Sequence, residues 1–528
     1  MVDVDDRLQR RRRSVAAANH VLQGLKRLAV ALVTVLVAAL ATSGPWAGRS
    51  WNVHAAEPAR QPNIVLVLMD DMGWRDVGFM GNSFVETPNL DRLAQRGLVF
   101  SQAYASAPNC APTRACLMSG QYTPRHGIYT VVDPRQPAGS PWMKLKSADS
   151  ESELATEVST IAESLRDSGY ATSFYGMWNL GRGRKGPRTP GGQGFDHVVF
   201  PENIGFGKDA YFDDRGNYLS DRLMDEVLQF MSKNRAKPFF VYLADHAVHA
   251  PYEPKPDLVK KYEQKAAKKG DRRDDPSYAA TIEAVDHNIG RLMTALNELK
   301  LADDTVVIFT SDNGGTNQYT APLRGGKGQL YEGGVRVPLL VWWSKLKKPA
   351  TRCDVPVASI DLYPTLLDIA GAKPPADQKL DGTSLLPLLN GGAKLDRERL
   401  FWHFPCYVGR SPPSSSIREG RYKLIEFFED GGRRELYDLQ TDPGEETDLS
   451  KAQPQRAADL YRKLQAWQKE TGAMLPTEAN PAYDPNASRP RGGPNNSANP
   501  NKGGNNKGGN NKGGNKKGGN KGENNGDG

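Results

Sequence analysis

Four apolar runs in the middle of the chain each end directly in polar or glycine-rich residues. They read NIVLVLMDDMGW from residue 63, GYATSFYGMWNLG from 169, PFFVYLADHAVHAPYEP from 238 and TVVIFTSDNGG from 305. The runs are continuous rather than alternating, which is typical of strands buried on both faces of a sheet. They predict strands near 64–68, 171–175, 239–243 and 306–310 in a largely parallel sheet.

Helical patterns lie between these runs. TPNLDRLAQRG and STIAESLRDSG each end ahead of a glycine, as a helix with a glycine C-cap does. Strands alternating with helices predict an α/β fold with helices on both faces of the sheet. In such a fold the loops beyond the carboxyl ends of the strands converge on one crevice. We therefore expect the four polar clusters to meet there.

The C-terminal part of the chain has a different pattern. SIREGRYKLIEFFEDGGRRELYDL predicts antiparallel strands around a Gly431-Gly432 turn. PQRAADLYRKLQAWQKETG predicts a helix whose apolar face packs on that sheet. We expect a catalytic domain over 60–372 and a smaller α+β domain over 373–475.

Both ends of the chain differ in composition from the middle. Residues 1–27 are basic and precede the apolar run LAVALVTVLVAALAT, which together resemble a secretory signal. The run is short for a membrane span, so we expect 1–55 to be a signal peptide and the protein to be secreted or periplasmic, without stable membrane insertion. An earlier cleavage site or a retained membrane anchor is the alternative. Residues 476–528 are rich in Asn, Lys and Gly and have almost nothing to bury, which predicts a disordered tail.

The distribution of net charge bears on one class of function, nucleic-acid binding. The formal charge is +8, and each end contributes +4: seven Lys/Arg oppose three Asp in 1–27, and six Lys oppose Glu523 and Asp527 in 501–528. The rest of the chain is close to neutral. The basic balance is therefore no argument for a nucleic-acid-binding core.

Oxygen-bearing side chains follow two of the predicted strands. Asp70 and Asp71 follow the first, and Asp312 and Asn313 follow the last. Taken singly, such pairs are usually turn or cap residues. Together, and each directly after a buried strand, they favour a site for a hard cation, Ca²⁺ or Mg²⁺, over zinc or copper.

Cys110 opens the stretch CAPTRACLMSG. Pro112 suits the first turn of a helix and Gly120 suits its C′ position, so Cys110 is expected at a helix N-terminus, where an anion is stabilised. A thiol there can be a disulfide half, a packed core residue, a metal ligand or a nucleophile. Cys116 is predicted to be packing, and pairing of Cys353 with Cys406 is left open.

CAPTR resembles the C-x-P-x-R signature of the type I sulfatases, and CAPTRACLMSG is similar to their extended motif. The resemblance continues, in the family's order, in LMDDMGWRDVG, HAVHAP, SDNGG and LRGGKGQLYEGGVRVP, and it spans about 63–472. It implies the alkaline phosphatase-like α/β architecture, with a large mixed sheet and a smaller C-terminal domain of antiparallel sheet plus helix. It also implies that Cys110 is oxidised to Cα-formylglycine, whose hydrated aldehyde is the nucleophile, by a formylglycine-generating enzyme.

Residue roles follow from the same resemblance. His249 and Lys327 would hold the sulfate and protonate the leaving oxygen, and Arg114 would orient the formylglycine. One Ca²⁺ would be bound by a set of five groups: Asp70, Asp71, Asp312, Asn313 and the formylglycine from Cys110.

The chain departs from the family at one element. Where most members read G-K-W-H-L-G, this chain reads GMWNLG, with Met177 in the place of the lysine and Asn179 in that of the histidine. Met177 cannot bind an anion, and Asn179 can donate a hydrogen bond but cannot act as a base. Arg182 or Arg184, just downstream, is a hypothetical replacement for the lost charge.

These patterns predict a sulfatase that hydrolyses sulfate esters of a carbohydrate or aryl alcohol. One alternative is a phosphodiester or phosphonate hydrolase, because related sites exchange one tetrahedral anion for another. The other is a degenerate sulfatase that binds sulfated glycans without turnover, which Met177 and Asn179 motivate.

Overall fold

The computed structural model describes residues 60–131, 139–181, 183–207, 210–269, 274–316, 319–408, 411–429 and 431–488. The predicted signal peptide and residues 489–528 of the predicted tail lie outside these ranges. Residues 476–488 are described and contact the rest of the chain: the side-chain amide of Asn480 donates to the carbonyl of Met143 at 2.8 Å. The main sheet contains β1 (Asn63–Met69), β2 (Leu98–Tyr104), β3 (Ala171–Gly176), β4 (His197–Val199), β5 (Phe239–Asp245), β6 (Thr305–Ser311), β7 (Arg336–Trp343), β8 (Thr351–Cys353) and β9 (Val357–Ala358).

Strand order explains how distant sequence segments become neighbours. Within the described ranges this nine-stranded sheet has the order β4-β3-β5-β1-β6-β7-β2-β8, with β9 paired to β2. The strands from β4 to β6 run parallel, whereas β7 is antiparallel to both β6 and β2. The four predicted strands are confirmed, and they are adjacent as β3, β5, β1 and β6. The prediction of a mostly parallel sheet is confirmed as well.

Helices cover both faces of this sheet. Alternate residues of β1 show the arrangement: Ile64 and Leu66 pack into one buried core, and Val65 and Val67 pack into the other. A strand buried on both faces has no polar alternation, which is why the run looked continuous in the sequence. The helices are α1 (Pro88–Ala94), α2 (Cys110–Ser119), α3 (Thr123–His126), α4 (Ile161–Asp167), α5 (Leu219–Asn234), α6 (Pro256–Lys269), α7 (Pro276–Glu298), α8 (Glu332–Val335), α9 (Leu362–Ala370) and α10 (Leu386–Leu389).

The two helices predicted between the apolar runs from TPNLDRLAQRG and STIAESLRDSG are α1 and α4. Thr160 and Glu163 form a capping box at the start of α4, as the pattern STIAE indicates. The glycine C-cap predicted for α1 is wrong, because Gln95 follows that helix in a right-handed conformation. Gly97 serves close packing instead: a Cβ there would lie 2.8 Å from the carbonyl oxygen of Val341 in β7.

The C-terminal part forms a second sheet. Its strands are β10 (Arg399–Phe404), β11 (Ser414–Glu419), β12 (Tyr422–Phe427) and β13 (Arg433–Asp438), all antiparallel in that order, and α11 (Pro454–Thr471) follows. Trp467 of α11 stacks on Phe401 of β10 with 4.8 Å between ring centroids. The predicted helix-on-sheet packing is confirmed, while the domain boundaries stay predictions. No helix in the described part of the chain has the length and apolar character to cross a membrane.

Candidate active site

The carboxyl ends of the central strands bring the predicted polar clusters together. Asp70 and Asp71 follow β1, and Asp312 follows β6 beside them, since its backbone N–H donates to the carbonyl of Met69 at 3.0 Å. On the other side, the N–H of Asp70 donates to the carbonyl of Asp245 at the end of β5 at 3.1 Å. The crevice therefore lies where the sequence places it.

Cys110 is the first residue of α2. Asn109 precedes it in an extended conformation, and Gly120 ends the helix in the left-handed region with φ 68°. The predicted helix N-terminus is confirmed. The Cys110 side chain is buried, so the free N–H groups of the first turn and the residue itself face an enclosed space.

Ligand atoms of Asp70, Cys110 and Asp312 all lie within 4.8 Å of one another. Asp71 and Asn313 adjoin them, because the side-chain amide of Asn313 donates to Asp71 at 2.7 Å. Two buried oxygens of this group, Oδ1 of Asp70 and Oδ1 of Asn313, accept no hydrogen bond from any described residue. Buried oxygens without a donor are costly unless a cation satisfies them, so the donor set fits Ca²⁺ or Mg²⁺.

Arg114 is the fully buried positive charge of the cluster. Its Nη2 donates to Asp70 and its Nε to Asp312, each at 2.9 Å, and its Nη1 donates to the backbone carbonyl of Met177. The guanidinium thus ties the ends of β1, β6 and β3 together. The resemblance gave Arg114 one role, orienting the formylglycine; its contacts here add a structural one.

The carboxyl groups respond to opposing effects. Burial disfavours the charged form of Asp70, but the charges of Arg114, His249 and Lys327 outweigh it and lower the pKa to about 2. Burial, together with the charge of Asp70, raises the pKa of Asp312 to about 7. The three adjacent carboxyl groups of Asp70, Asp71 and Asp312 are therefore not fully neutralised by the permanent charges of Arg114 and Lys327, which again favours a divalent cation.

Lys327 and His249 converge on Asp71. The amino group of Lys327 lies 2.7 Å from one carboxylate oxygen of Asp71, and Nε2 of His249 lies 3.7 Å from the other. The His249 ring is oriented by a 2.7 Å hydrogen bond between Nδ1 and the carbonyl of Ala250. A backbone hydrogen bond of 2.9 Å from the N–H of Lys327 to the carbonyl of Gly315 holds the lysine loop against the crevice. The structure therefore places both predicted substrate-binding residues beside the predicted metal ligands.

Met177 and Asn179 lie at the end of β3, on the far side of β5 from the acids. The path of the chain is fixed here, because a Cβ on Gly176 would lie 2.1 Å from the carbonyl of Ala244 in β5. Asn179 has φ 60°, a left-handed conformation that asparagine tolerates better than most residues. Both side chains are partly exposed, and the Asn179 amide has no hydrogen-bond partner among the described residues.

The proposed replacement charge lies elsewhere. Arg184 pairs with Glu202, and its guanidinium stacks 4.2 Å from the centre of the Phe200 ring. Arg182 lies outside the described residues. The hypothesis that Arg184 substitutes for the lost lysine is therefore not supported by its position.

Two further residues at the crevice had no role in the sequence analysis. His246 follows Asp245 on β5, and its buried Nδ1 has no described partner. Tyr211 donates its hydroxyl to the carbonyl of His249 at 2.7 Å and packs on the His246 ring. His246 was visible within HAVHAP, whereas Tyr211 lies in a loop without any pattern.

The cysteines are all free thiols: Cys110, Cys116, Cys353 and Cys406. Cys116 is buried in α2 and its Sγ lies 3.4 Å from Nε2 of His126, in line with a packing role. The pairing of Cys353 with Cys406, left open by the sequence, is not formed.

A family model described as Sulfatase matches residues 62–372. The chain belongs to the sulfatase family. A second model, N-sulphoglucosamine sulphohydrolase, C-terminal, matches residues 326–470, which include the four-stranded sheet. As a family member this sulfatase is a sulfuric ester hydrolase, as its named relatives are.

The similarity extends over most of the chain. A sulfatase of Formosa agariphila is 33% identical over 497 residues, which cover 77% of this chain and 89% of that protein. Human arylsulfatase A is 32% identical over 453 residues, with 74% and 84% covered. The crystal structure of Ps i-CgsB superimposes with a TM-score of 0.66 and 29% identity, covering 80% of this chain and 95% of that one.

Proposed function

We propose that this sulfatase hydrolyses the sulfate ester of a sulfated carbohydrate or aryl alcohol, with Cys110 converted to Cα-formylglycine by a formylglycine-generating enzyme. The observation that carries the proposal is the cluster of Asp70, Cys110 and Asp312 at the N-terminus of α2, with ligand atoms within 4.8 Å of one another. A nucleophile, a cation site and two basic side chains then share one crevice.

The state of the Cys110 thiol supports conversion. Burial, only partly offset by the charge of Lys327, raises the pKa of Cys110 to about 12. A thiol with that pKa is almost entirely protonated at neutral pH and is a poor nucleophile. The modified residue supplies a hydroxyl nucleophile instead.

The cation is proposed to be Ca²⁺, with Mg²⁺ as the alternative. Asp70, Asp71, Asp312 and Asn313 would hold it, together with the modified Cys110. Bound there, it supplies positive charge next to the nucleophile and the sulfate oxygens.

The chain's own side chains supply the remaining functions. Lys327 carries a fixed positive charge that binds a non-bridging sulfate oxygen. His249 donates a proton from Nε2 to the leaving oxygen when its ring is doubly protonated, since the Nδ1–H is already held by the carbonyl of Ala250. Arg114 holds Asp70 and Asp312 in place beside the modified residue. Asn179 can donate a hydrogen bond to the nucleophile but does not accept a proton.

A carbohydrate is the better supported substrate class. A second crystal structure shows Ps i-CgsB in complex with k-i-k-neocarrahexaose. The similarity between that structure and this chain covers 79% of this chain at 29% identity. We infer a sulfated glycan as the natural substrate and an exported protein, with residues 1–55 as the signal.

Mass spectrometry tests the chemistry directly. Protein produced with a formylglycine-generating enzyme should yield a tryptic peptide ending at Arg114 that carries formylglycine at position 110, and should release sulfate from an aryl sulfate or a sulfated oligosaccharide. Cys110→Ala should release none, whereas the matched variant Cys116→Ala keeps the modification. Finding only unmodified cysteine at position 110 in active protein would refute the proposed nucleophile. Faster turnover of phosphate diesters than of sulfate esters would favour the phosphodiesterase alternative.

A further inference from the structure

A cavity of about 500 Å³ lies between the Lys327 loop and the second sheet. Arg324 and Gln329 line it from the loop, and Phe427 and Arg433 line it from β12 and β13. None of the described residues that line the cavity is acidic. The cavity therefore presents two guanidinium groups without a carboxylate on its wall.

The carboxylate of Glu435, which lies close to both arginines, already accepts several hydrogen bonds. Glu435 is buried, and its Oε2 accepts the hydroxyls of Tyr331 at 2.7 Å and Tyr437 at 2.6 Å. Its Oε1 accepts Nη1 of Arg433. One negative charge thus faces two arginines, and its lone pairs are largely used, so the cluster keeps a net positive charge.

Ring stacking and hydrogen bonds hold both arginine side chains in place, while some N–H groups of each guanidinium stay available to a ligand. The Arg324 guanidinium stacks 4.0 Å from the centre of the Tyr331 ring, and its Nη1 donates to the Tyr437 hydroxyl at 2.9 Å. The Arg433 guanidinium stacks 4.2 Å from the Phe427 ring. Their side chains are 43% and 47% exposed, and Nε and Nη2 of each donate to no described residue. Stacked, partly exposed arginines with open N–H groups suit the oxygens of sulfate or carboxylate.

The position of the cavity relates it to the reactive centre. Arg324 and Lys327 are three residues apart on one loop, so their Cα atoms lie within about 11 Å. The loop is fixed between them: Gly325 turns in the left-handed region at φ 74°, and the side chain of Gln329 accepts the N–H of Gly326 at 3.1 Å. The cavity is therefore held at a set distance from the lysine that faces Asp71.

We propose that this cavity binds an anionic substituent, a sulfate or carboxylate group, on a sugar next to the one whose sulfate ester is cleaved. The inference rests on the proposed function, and it narrows the substrate to a glycan with more than one anionic residue. Arg324 and Arg433 bind the second anion, and the Tyr331 and Phe427 rings support their guanidinium planes. The enzyme then prefers a multiply sulfated chain to a singly sulfated sugar.

Paired substrates test the proposal. We would measure Arg324→Gln, Arg433→Gln and the double variant with 4-nitrophenyl sulfate and with carrageenan oligosaccharides that carry several sulfate groups. The ratio of kcat/KM for the oligosaccharide to kcat/KM for 4-nitrophenyl sulfate should fall about 10- to 100-fold in the double variant, mainly through KM, as expected for lost charged hydrogen bonds. Arg421→Gln is the matched control, because Arg421 is 39% exposed, lies in the turn directly before β12, pairs with Asp438 and does not line the cavity.

Three results would overturn the inference: an unchanged ratio, an equal loss on both substrates, or an equal change in Arg421→Gln. Equal loss would mean that the arginines only position the Lys327 loop. If the wild-type enzyme releases sulfate from neither substrate, the proposed function fails instead. Calorimetric binding of the same oligosaccharides then decides the inference, which requires weaker binding by the double variant than by wild type and by Arg421→Gln.

Discussion

The two sides of the crevice carry very different chemistry. At the ends of β1 and β6, Asp70 and Asp312 share the buried Arg114, and every polar residue that the family pattern calls for is present. At the end of β3, Met177 and Asn179 stand where the family pattern has a lysine and a histidine. This side therefore carries a thioether and an amide in place of two basic side chains. The difference separates two requirements. In the proposed mechanism, cation binding depends on the first side, and the β3 side contributes only the hydrogen bond that Asn179 can donate.

The largest effect is expected on the acidic side. Asp312→Ala should lower kcat/KM for 4-nitrophenyl sulfate by roughly 10³-fold or more, since it removes a cation ligand and a partner of Arg114. Metal content, measured by atomic emission, should fall with it. Asp303→Ala, in the turn before β6, is the control and should stay within about twofold. Full activity in Asp312→Ala would remove this carboxylate from the site.

Metal removal should act on the same side, reversibly. Chelation should lower activity at least about 100-fold, and Ca²⁺ or Mg²⁺ should restore it, because all side-chain ligands except the modified residue are carboxylate or amide oxygens. Activity assays after dialysis measure this. Asp312→Ala should not be rescued. Restoration by Zn²⁺ alone would contradict a hard-cation site.

The β3 side should respond in the opposite direction. Met177→Lys with Asn179→His restores the basic pair of the family, and we expect kcat to rise, up to about 10²-fold, the lower end of what a positioned proton acceptor contributes. Met177→Lys alone tests the effect of the added charge, and Asn179→His alone tests the effect of the added proton acceptor. Steady-state assays over a range of pH measure how kcat depends on the protonation of the new histidine. A rate that is unchanged or lower in the double variant would show that another group already performs this function.

The smallest effect is expected at Arg184. Its side chain is 54% exposed and engaged with Glu202 and Phe200, so Arg184→Gln should change kcat/KM by less than about twofold. The same measurement of kcat/KM for Arg182→Gln tests the other arginine that the sequence analysis considers as a replacement for the lost charge. A loss of more than about tenfold in Arg184→Gln would assign it the missing charge after all.

Much of the fold could be predicted because parallel, doubly buried strands leave an unbroken apolar run. The predicted strands 64–68 and 306–310 begin and end within one residue of the observed β1 and β6. The strand order and the antiparallel β7 could not be predicted, because pairing depends on contacts between distant segments. β10 was not predicted at all, and its role is to extend the second sheet next to β11.

The candidate site was predictable where local patterns carry the chemistry. Asp-Asp and Asp-Asn after buried strands, and a cysteine ahead of a helical proline, are visible in short windows. Tyr211 and the Arg324 cavity are not, because their significance comes from partners far away in the sequence, such as His249 and Tyr437. Arg114 illustrates the same limit: its residue type was informative, but its contact with the Met177 carbonyl required the structure.

That contact has a thermodynamic consequence. In the proposed function, a cation held by Asp70 and Asp312 competes with Arg114 for the charge of the same two carboxylates, and Arg114 also holds the chain at 177. Cation binding and the contact of Arg114 with the Met177 carbonyl would then be linked, and linkage is reciprocal. A substitution at 177 that displaces the carbonyl changes the affinity for the cation, and loading of the cation changes the freedom of the loop. The side of the crevice that lacks basic groups is thus connected, through Arg114, to the side that is proposed to bind the cation.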